Sequence, residues 1–428
     1  MNGDPFQPES TAESAVSASR LGRLYCGYQF FFSLLLWLPI FYEFQKRIGL
    51  GDPEIFSIQS AYYLAFCLFE IPTGWWADRF GYLKCMRAGA ALVAIANLWP
   101  VLFPTYSGML WHFLGIALAR SLVSGAGSAY LYESLAKQGE LGRYKQIEGN
   151  SRAYGLIGKV VLWLAVGKLM EWRLDLPYSL TSALTGISLV YAYRLKPLVK
   201  SPLSIGSPIA RDPGLSLPHA FARLRQSPIL VLLMLQGIGL FVLARIVQVN
   251  LFQPILSSKS MDVGLYGVVL SSTSAFEALG SARPGCIRRW LDDRNAVFAL
   301  TLVLAGVLLA IPWLGVAATW VGLAIFSLTL GFASPIQRQL INDAIPDGRY
   351  RATFLSLESI LDRGACSLVA AGLAQALVHP GLPVFLGEAA IFTFVAMVLV
   401  QGGLIWANAR RKSMVSLLNA EFNGDQTL

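Results

Sequence analysis

Long, unbroken apolar blocks recur along the chain, separated by short polar segments. They read as Leu21–Phe41, Ile55–Trp75, Lys84–Phe103, Gly108–Leu135, Ser151–Lys168, Pro177–Tyr193, Pro228–Phe252, Gly264–Ile287, Asn295–Leu314, Ala317–Ala344, Arg351–Val378 and Val384–Ala409. Each is close to or above the roughly 20 residues that a helix needs to cross hydrocarbon. Lipid offers backbone N–H and C=O groups no partner, so an open-ended span satisfies them only as a helix. A transmembrane β-barrel would show short alternating runs instead. The pattern predicts an all-α polytopic membrane protein with twelve transmembrane helices. An even number of spans returns both tails to one side.

Composition narrows this further. Of 428 residues, 55% are hydrophobic and 14% charged, against about 25% charged in an average soluble domain. That excludes a soluble globule and a disordered chain. Five cysteines, scattered singly, exclude a disulfide scaffold and show no metal-ligand spacing, so no metal is expected. A net charge of +9 would suit a nucleic-acid partner, but its distribution points elsewhere. The side bearing the tails holds 25 of the 34 basic residues. The opposite side holds Lys46, Arg47, Lys168, Arg173 and Lys259, while Arg120, Lys159, Arg245 and Arg363 lie inside spans. This positive-inside pattern predicts a cell-membrane protein with both termini cytoplasmic, facing a lipid bilayer and no nucleic acid. Residues 1–19 are polar and acidic, and read as a cytosolic tail, not a signal peptide.

The longest polar stretch, 194–227, carries five prolines and six basic residues. It reads as a linker between six-helix bundles at 20–193 and 228–410, with 411–428 as a second cytosolic tail. An internal repeat supports the division. Phe69-Glu70 recurs as Phe276-Glu277, 207 residues on, and Gly142-Arg143-Tyr144 as Gly348-Arg349-Tyr350, 206 residues on. Both pairs occupy equivalent places in the two halves. Pseudo-symmetric bundles of this kind hold substrate near the midplane, between the repeats.

The segment after span two reads Gly74-Trp75-Trp76-Ala77-Asp78-Arg79-Phe80-Gly81-Tyr82-Leu83-Lys84, the pattern Gly-x-x-x-Asp-Arg-x-Gly. With the twelve spans, two halves and central linker, it resembles the major facilitator superfamily across the whole chain. Gly74 would let spans two and eleven approach closely, Asp78 would sit at a helix N-terminus, and Gly81 would make a tight turn. The resemblance implies a cytosolic gating latch made by this loop and Glu133 near the end of span four. Two basic residues usually follow the second glycine. Here Tyr82 and Leu83 do, and Lys84 comes one place late, which leaves open whether Lys84 or Arg79 meets Glu133. The corresponding second-half segment, 280–294, is degraded and implies a weaker latch. The tract Arg120–Ala129 resembles a family motif loosely, and the antiporter Gly-Pro pair is absent from span five, where Lys159 follows Gly158.

Charges inside spans are costly and usually face a cavity. Arg120, Lys159, Asp362 and Arg363 lie near the middle of spans four, five and eleven, and Arg245 in the outer half of span seven. Cations outnumber Asp362 at this depth, which favours an anionic substrate held by Arg120, Lys159 and Arg363. Internal pairing of these charges is the other reading. Glu70, Glu277 and Asp362 are proton-coupling candidates, since a carboxylate in low dielectric can load and release a proton. Gln29, Gln236, Gln248 and Asn250 are further cavity candidates. The aromatics Tyr25, Tyr28, Phe31, Phe32, Trp37, Tyr62 and Tyr63 read mainly as lipid-facing.

No Walker loop, dinucleotide fingerprint or nucleophile elbow occurs, so neither a cofactor nor enzymatic chemistry is expected. The expectation is a monomeric secondary transporter working by alternating access. Its span-four and span-five pattern resembles bacterial efflux branches, which implies proton-coupled antiport of a drug or natural product. Import or uniport of a nutrient or organic anion, and a transport-inactive membrane sensor, are the alternatives.

Overall fold

The computed structural model describes residues 8–197, 224, 227–345 and 351–424, with side chains from Val16 to Arg410 except at 71, 78 and 351–353. All regular structure among these residues is helical. Among the described residues, eight helical stretches are long and apolar enough to cross a membrane, and the last of them, Phe354–Arg410, spans two sequence blocks. Those two blocks are Arg351–Ala376 and Leu382–Gly424, joined through His379, whose backbone is extended, Pro380, and Gly381 at φ +101°. The three remaining blocks are also helical: Asp52–Phe80, Leu176–Arg194 and Tyr266–Ala282. Large apolar side chains lie bare on the outside, among them Trp313 at 88% and Phe392 at 75% exposure. Lipid covers such a surface in a membrane protein.

Several boundaries differ from the sequence reading. The first helix starts at Pro8, inside the segment expected to be a tail, and the last runs on to Gly424. Span one stops at Ser33 and resumes as Leu38–Ile40 and Phe41–Arg47. Backbone groups freed by the break find side-chain partners. Leu36 N–H donates to Thr181 Oγ1 at 3.1 Å, and Trp163 Nε1–H donates to the Leu35 carbonyl at 3.0 Å. Span seven is interrupted at the equivalent place, by a π-helical turn at Ile246–Asn250. The expected loop after span two is mostly helix. Gly74 and Arg79 lie in its final turns, and Gly81 alone breaks it, at φ +93°.

Two compact units emerge, and they do not follow the linker. One comprises Met1–Pro202, Val249–Ser272 and Cys366–His379; the other comprises Leu203–Gln248, Thr273–Ala365 and Pro380–Leu428. The end of span seven, the start of span eight and the end of span eleven thus belong with the first unit.

Hydrogen bonds within the first unit explain this grouping. Gln253 Oε1 accepts from Tyr42 N–H at 2.9 Å and Glu43 N–H at 3.1 Å, while its Nε2 donates to the Leu38 carbonyl. Tyr63 donates to Asn250 at 2.8 Å, and the hydroxyls of Ser60 and Ser367 donate to each other's carbonyls. Gly267 packs directly on the Trp163 carbonyl, with no room for a Cβ. Tyr25 and Tyr28, expected at the lipid, are fully buried. Tyr25 donates to Glu148 and Tyr28 to the Met86 carbonyl, so each hydroxyl is satisfied inside the bundle. Trp37 and Tyr63 are buried as well.

In the second unit, spans eight and ten meet backbone to backbone. A Cβ on Gly331 would collide with the Glu277 carbonyl, and one on Gly280 with the Leu328 carbonyl. Small residues permit that approach, and it fixes the height at which Glu277 sits.

Candidate functional site

A polar cavity of 380 Å³ lies wholly within the second unit. Four spans carry its charged and amide side chains. Span seven supplies Arg245, the last residue before the π-helical turn, and Gln248 within that turn. The turn adds a residue to the helical register, and such bulges often mark functional positions. Span eight supplies Glu277, and span ten Gln337 and Arg338, just after Pro335. Span eleven supplies Glu358 and Asp362, four residues apart and therefore on one helix face.

These groups are partly paired. Arg338 Nη1 donates to Glu358 Oε2 at 2.7 Å, with the glutamate buried and the arginine half-exposed. Gln248 Nε2 donates to Glu277 Oε2 at 2.9 Å and to Ser327 Oγ at 3.2 Å. Arg245 lies over the Phe241 ring, 5.5 Å from its centre, a cation–π geometry. Among the described residues, no carboxylate lies within ion-pair distance of Arg245. Asp362 is buried, and its Oδ1 has no hydrogen-bond partner. Three carboxylates thus face two guanidinium groups.

Removal of Arg338 tests the pairing. Arg338→Ala leaves Glu358 buried without its donor and is expected to cost about 1–3 kcal/mol, read as a fall in melting temperature in detergent. Adding Glu358→Gln should recover most of the loss. If the double variant melts below the single one, the pair is not what holds Glu358.

The other sequence candidates are dispersed. Gln236 donates to Met397 Sδ at 3.4 Å, so it points to span twelve and not into this cavity. The Arg363 guanidinium bonds the Ser359 hydroxyl and, at 2.9 Å, the Ser359 carbonyl one turn back. Arg120 is exposed and Lys159 half-buried, both in the first unit. The expected cluster of Arg120, Lys159 and Arg363 is therefore not gathered within either unit. Glu70 accepts from Ser124 at 3.5 Å, and its second oxygen lacks a partner. Gln29 donates to Tyr25 at 3.0 Å. Tyr25, Ser128 and Arg152 all donate to Glu148, a carboxylate that sequence reasoning passed over.

Within the latch segment, Gly74 is exposed, and a Cβ there would meet nothing within 4 Å among the described residues. Arg79 lies over the Trp75 ring at 5.1 Å. Lys84 is exposed, and Glu133 is half-buried on the helix Ala126–Lys137. The side chain of Asp78, and Gly348-Arg349-Tyr350 of the repeat, lie outside the described residues.

Arg338 and Gln337 were missed because they fall near the C-terminal end of span ten, where a charge reads as an ordinary interfacial residue. The available signal was the polar run Ser334-Pro335-Ile336-Gln337-Arg338 inside an apolar block.

The sequence model of the Major Facilitator Superfamily matches residues 24–368. Similar solved structures include a mutant form of the nucleoside transporter NupG, at TM-score 0.73 and 14% identity over 91% of this chain and 99% of that one. An auto-inhibited POT family peptide transporter matches at TM-score 0.69 and 14% identity, over 90% and 96% of the two chains. A D-xylose-proton symporter matches at 0.66 and 11%, over 91% and 97%. No curated protein matches the chain.

Proposed function

Since this chain belongs to the major facilitator superfamily, and is a membrane transporter and not an enzyme, we propose that it moves a small organic molecule by proton-coupled alternating access. The carrying observation is the cavity lined by Glu277, Glu358 and Asp362 within an apolar bundle. Carboxylates in such surroundings bind and release protons as solvent access changes. Asp362 and Glu277, neither within ion-pair distance of a guanidinium among the described residues, are assigned the proton. Glu70, its repeat mate Phe276-Glu277 aside, lies in the other half and is a secondary candidate.

Export by proton antiport is the direction proposed, because one carboxylate that serves either a proton or a substrate produces exchange. Uptake by symport is the second reading, favoured by the likeness to a structure named as a proton symporter. The basic residues along the tail side support cytoplasmic termini in a cell membrane. Asp78, Arg79, Lys84 and Glu133 are proposed to latch that side in the alternate conformation, with Gly81 as the turn that presents them.

The test uses purified protein in proteoliposomes with an imposed pH gradient. Solute flux driven by the gradient and collapsed by a protonophore is expected. Flux toward the acidic compartment indicates antiport, and flux toward the alkaline one symport. Flux that ignores the gradient removes proton coupling.

A further inference from the structure

The unsatisfied polar atoms of the cavity carry an inference about its substrate, resting on the transport reading above. Two buried side-chain atoms among the lining residues lack a hydrogen-bond partner: Asp362 Oδ1 and Gln337 Oε1. Asp362 is 8% and Gln337 3% exposed. The Gln337 assignment is secured by its neighbour, because Nε2 donates to the Leu233 carbonyl at 2.7 Å and only the oxygen is left over. Both orphans are acceptors. The Gln248 amide N–H groups already serve Glu277 and Ser327, and Arg338 already serves Glu358. Neither guanidinium of the lining donates to these two orphans, which are left wanting a donor and, at Asp362, positive charge. A carboxylate substrate brings neither. An ammonium group brings both, with three N–H donors and no acceptor.

Charge leads to the same place. With Glu358 paired with Arg338, two carboxylates share the one remaining guanidinium of the lining, Arg245, which lies over Phe241. Buried negative charge of that kind needs a partner when water is displaced.

We propose that the cavity binds its substrate through a protonated nitrogen, received by Asp362 and Gln337 with Glu277 completing the acceptor set. The anionic class that the sequence suggested is replaced by a cationic or amine-bearing one. An inorganic cation such as sodium would also accept these oxygens, so the experiment separates the two.

Binding is measured on the full-length protein in detergent by thermal shift and calorimetry, with no gradient present. Failure of proton coupling therefore leaves this test intact. The probes are aryl-alkyl amines and quaternary ammonium ions, each paired with a carboxylate of similar shape, plus sodium against potassium chloride. At least one ammonium probe is expected to bind while its carboxylate partner does not. Asp362→Asn should weaken that binding at least about tenfold, with Asp362→Glu recovering part of it. Gln337→Leu should weaken it less, and serves as the second variant if Asp362→Asn folds poorly. Absence of binding by every ammonium probe at millimolar concentration, equal binding by the carboxylates, or stabilisation by sodium alone overturns the proposal.

Discussion

Asp362→Asn is expected to reduce gradient-driven transport to the level of empty vesicles while leaving the protein folded. The amide is nearly isosteric with the carboxylate, and Asp362 Oδ1 makes no hydrogen bond whose loss would unravel span eleven. What the substitution removes is the ability to take and release a proton, together with a negative charge. Substrate counterflow, which needs no net proton movement, is the informative companion measurement. Counterflow should fall too, because the same carboxylate is assigned to the substrate nitrogen. Preserved counterflow with lost gradient drive would keep the proton role and remove the substrate role. Preserved gradient drive would remove Asp362 from coupling altogether, leaving Glu277 as the candidate to replace by Gln.

The second large effect is steric. Gly267→Val is expected to abolish transport, because the new side chain would occupy the place of the Trp163 carbonyl oxygen. That obstacle is backbone, so it cannot rotate aside. Gly167 is also packed against backbone, that of Val263 and Gly264, so the seam between spans five and eight in the first unit depends on missing Cβ atoms. Disruption should expose Ser271, which is buried and donates to the Val160 carbonyl at 2.8 Å. A Ser271→Cys thiol should label slowly in the parent and rapidly beside Gly267→Val. Gly306→Val is the control, since a Cβ there meets nothing within 4 Å. Transport by Gly267→Val within about twofold of the parent would mean that the seam is not obligatory in the cycle.

Much of the architecture was legible because it is local. A block such as Pro228–Phe252 is apolar throughout, and lipid allows its backbone only one hydrogen-bonding solution. Gly81 was legible for a similar reason, since a positive φ at a helix junction favours a residue without Cβ. The breaks in spans one and seven were not legible. The break in span one depends on Thr181 and Trp163 arriving from spans six and five to serve the freed groups, and nothing in the local pattern of residues 34–40 announces those partners. Tyr25 and Tyr28 misled because an aromatic near a span end suits a lipid interface as well as a core. Only Glu148 and the Met86 carbonyl decide between them.

The candidate site divides along the same line. Amino-acid order alone determined a polytopic helical transporter, its two-fold repeat, and a short roster of intramembrane charges that included Arg245, Glu277 and Asp362. Tertiary structure decided which of them share a cavity, that Arg338 neutralises Glu358, and that the remaining orphans are acceptors. The physical reason is range. Hydropathy and backbone satisfaction act within one span and are written in its residues. The net charge and hydrogen-bond balance of a cavity depend on how four helices are rotated about their axes, and a turn of one residue, such as the π-helical step at Ile246–Asn250, redirects every side chain that follows.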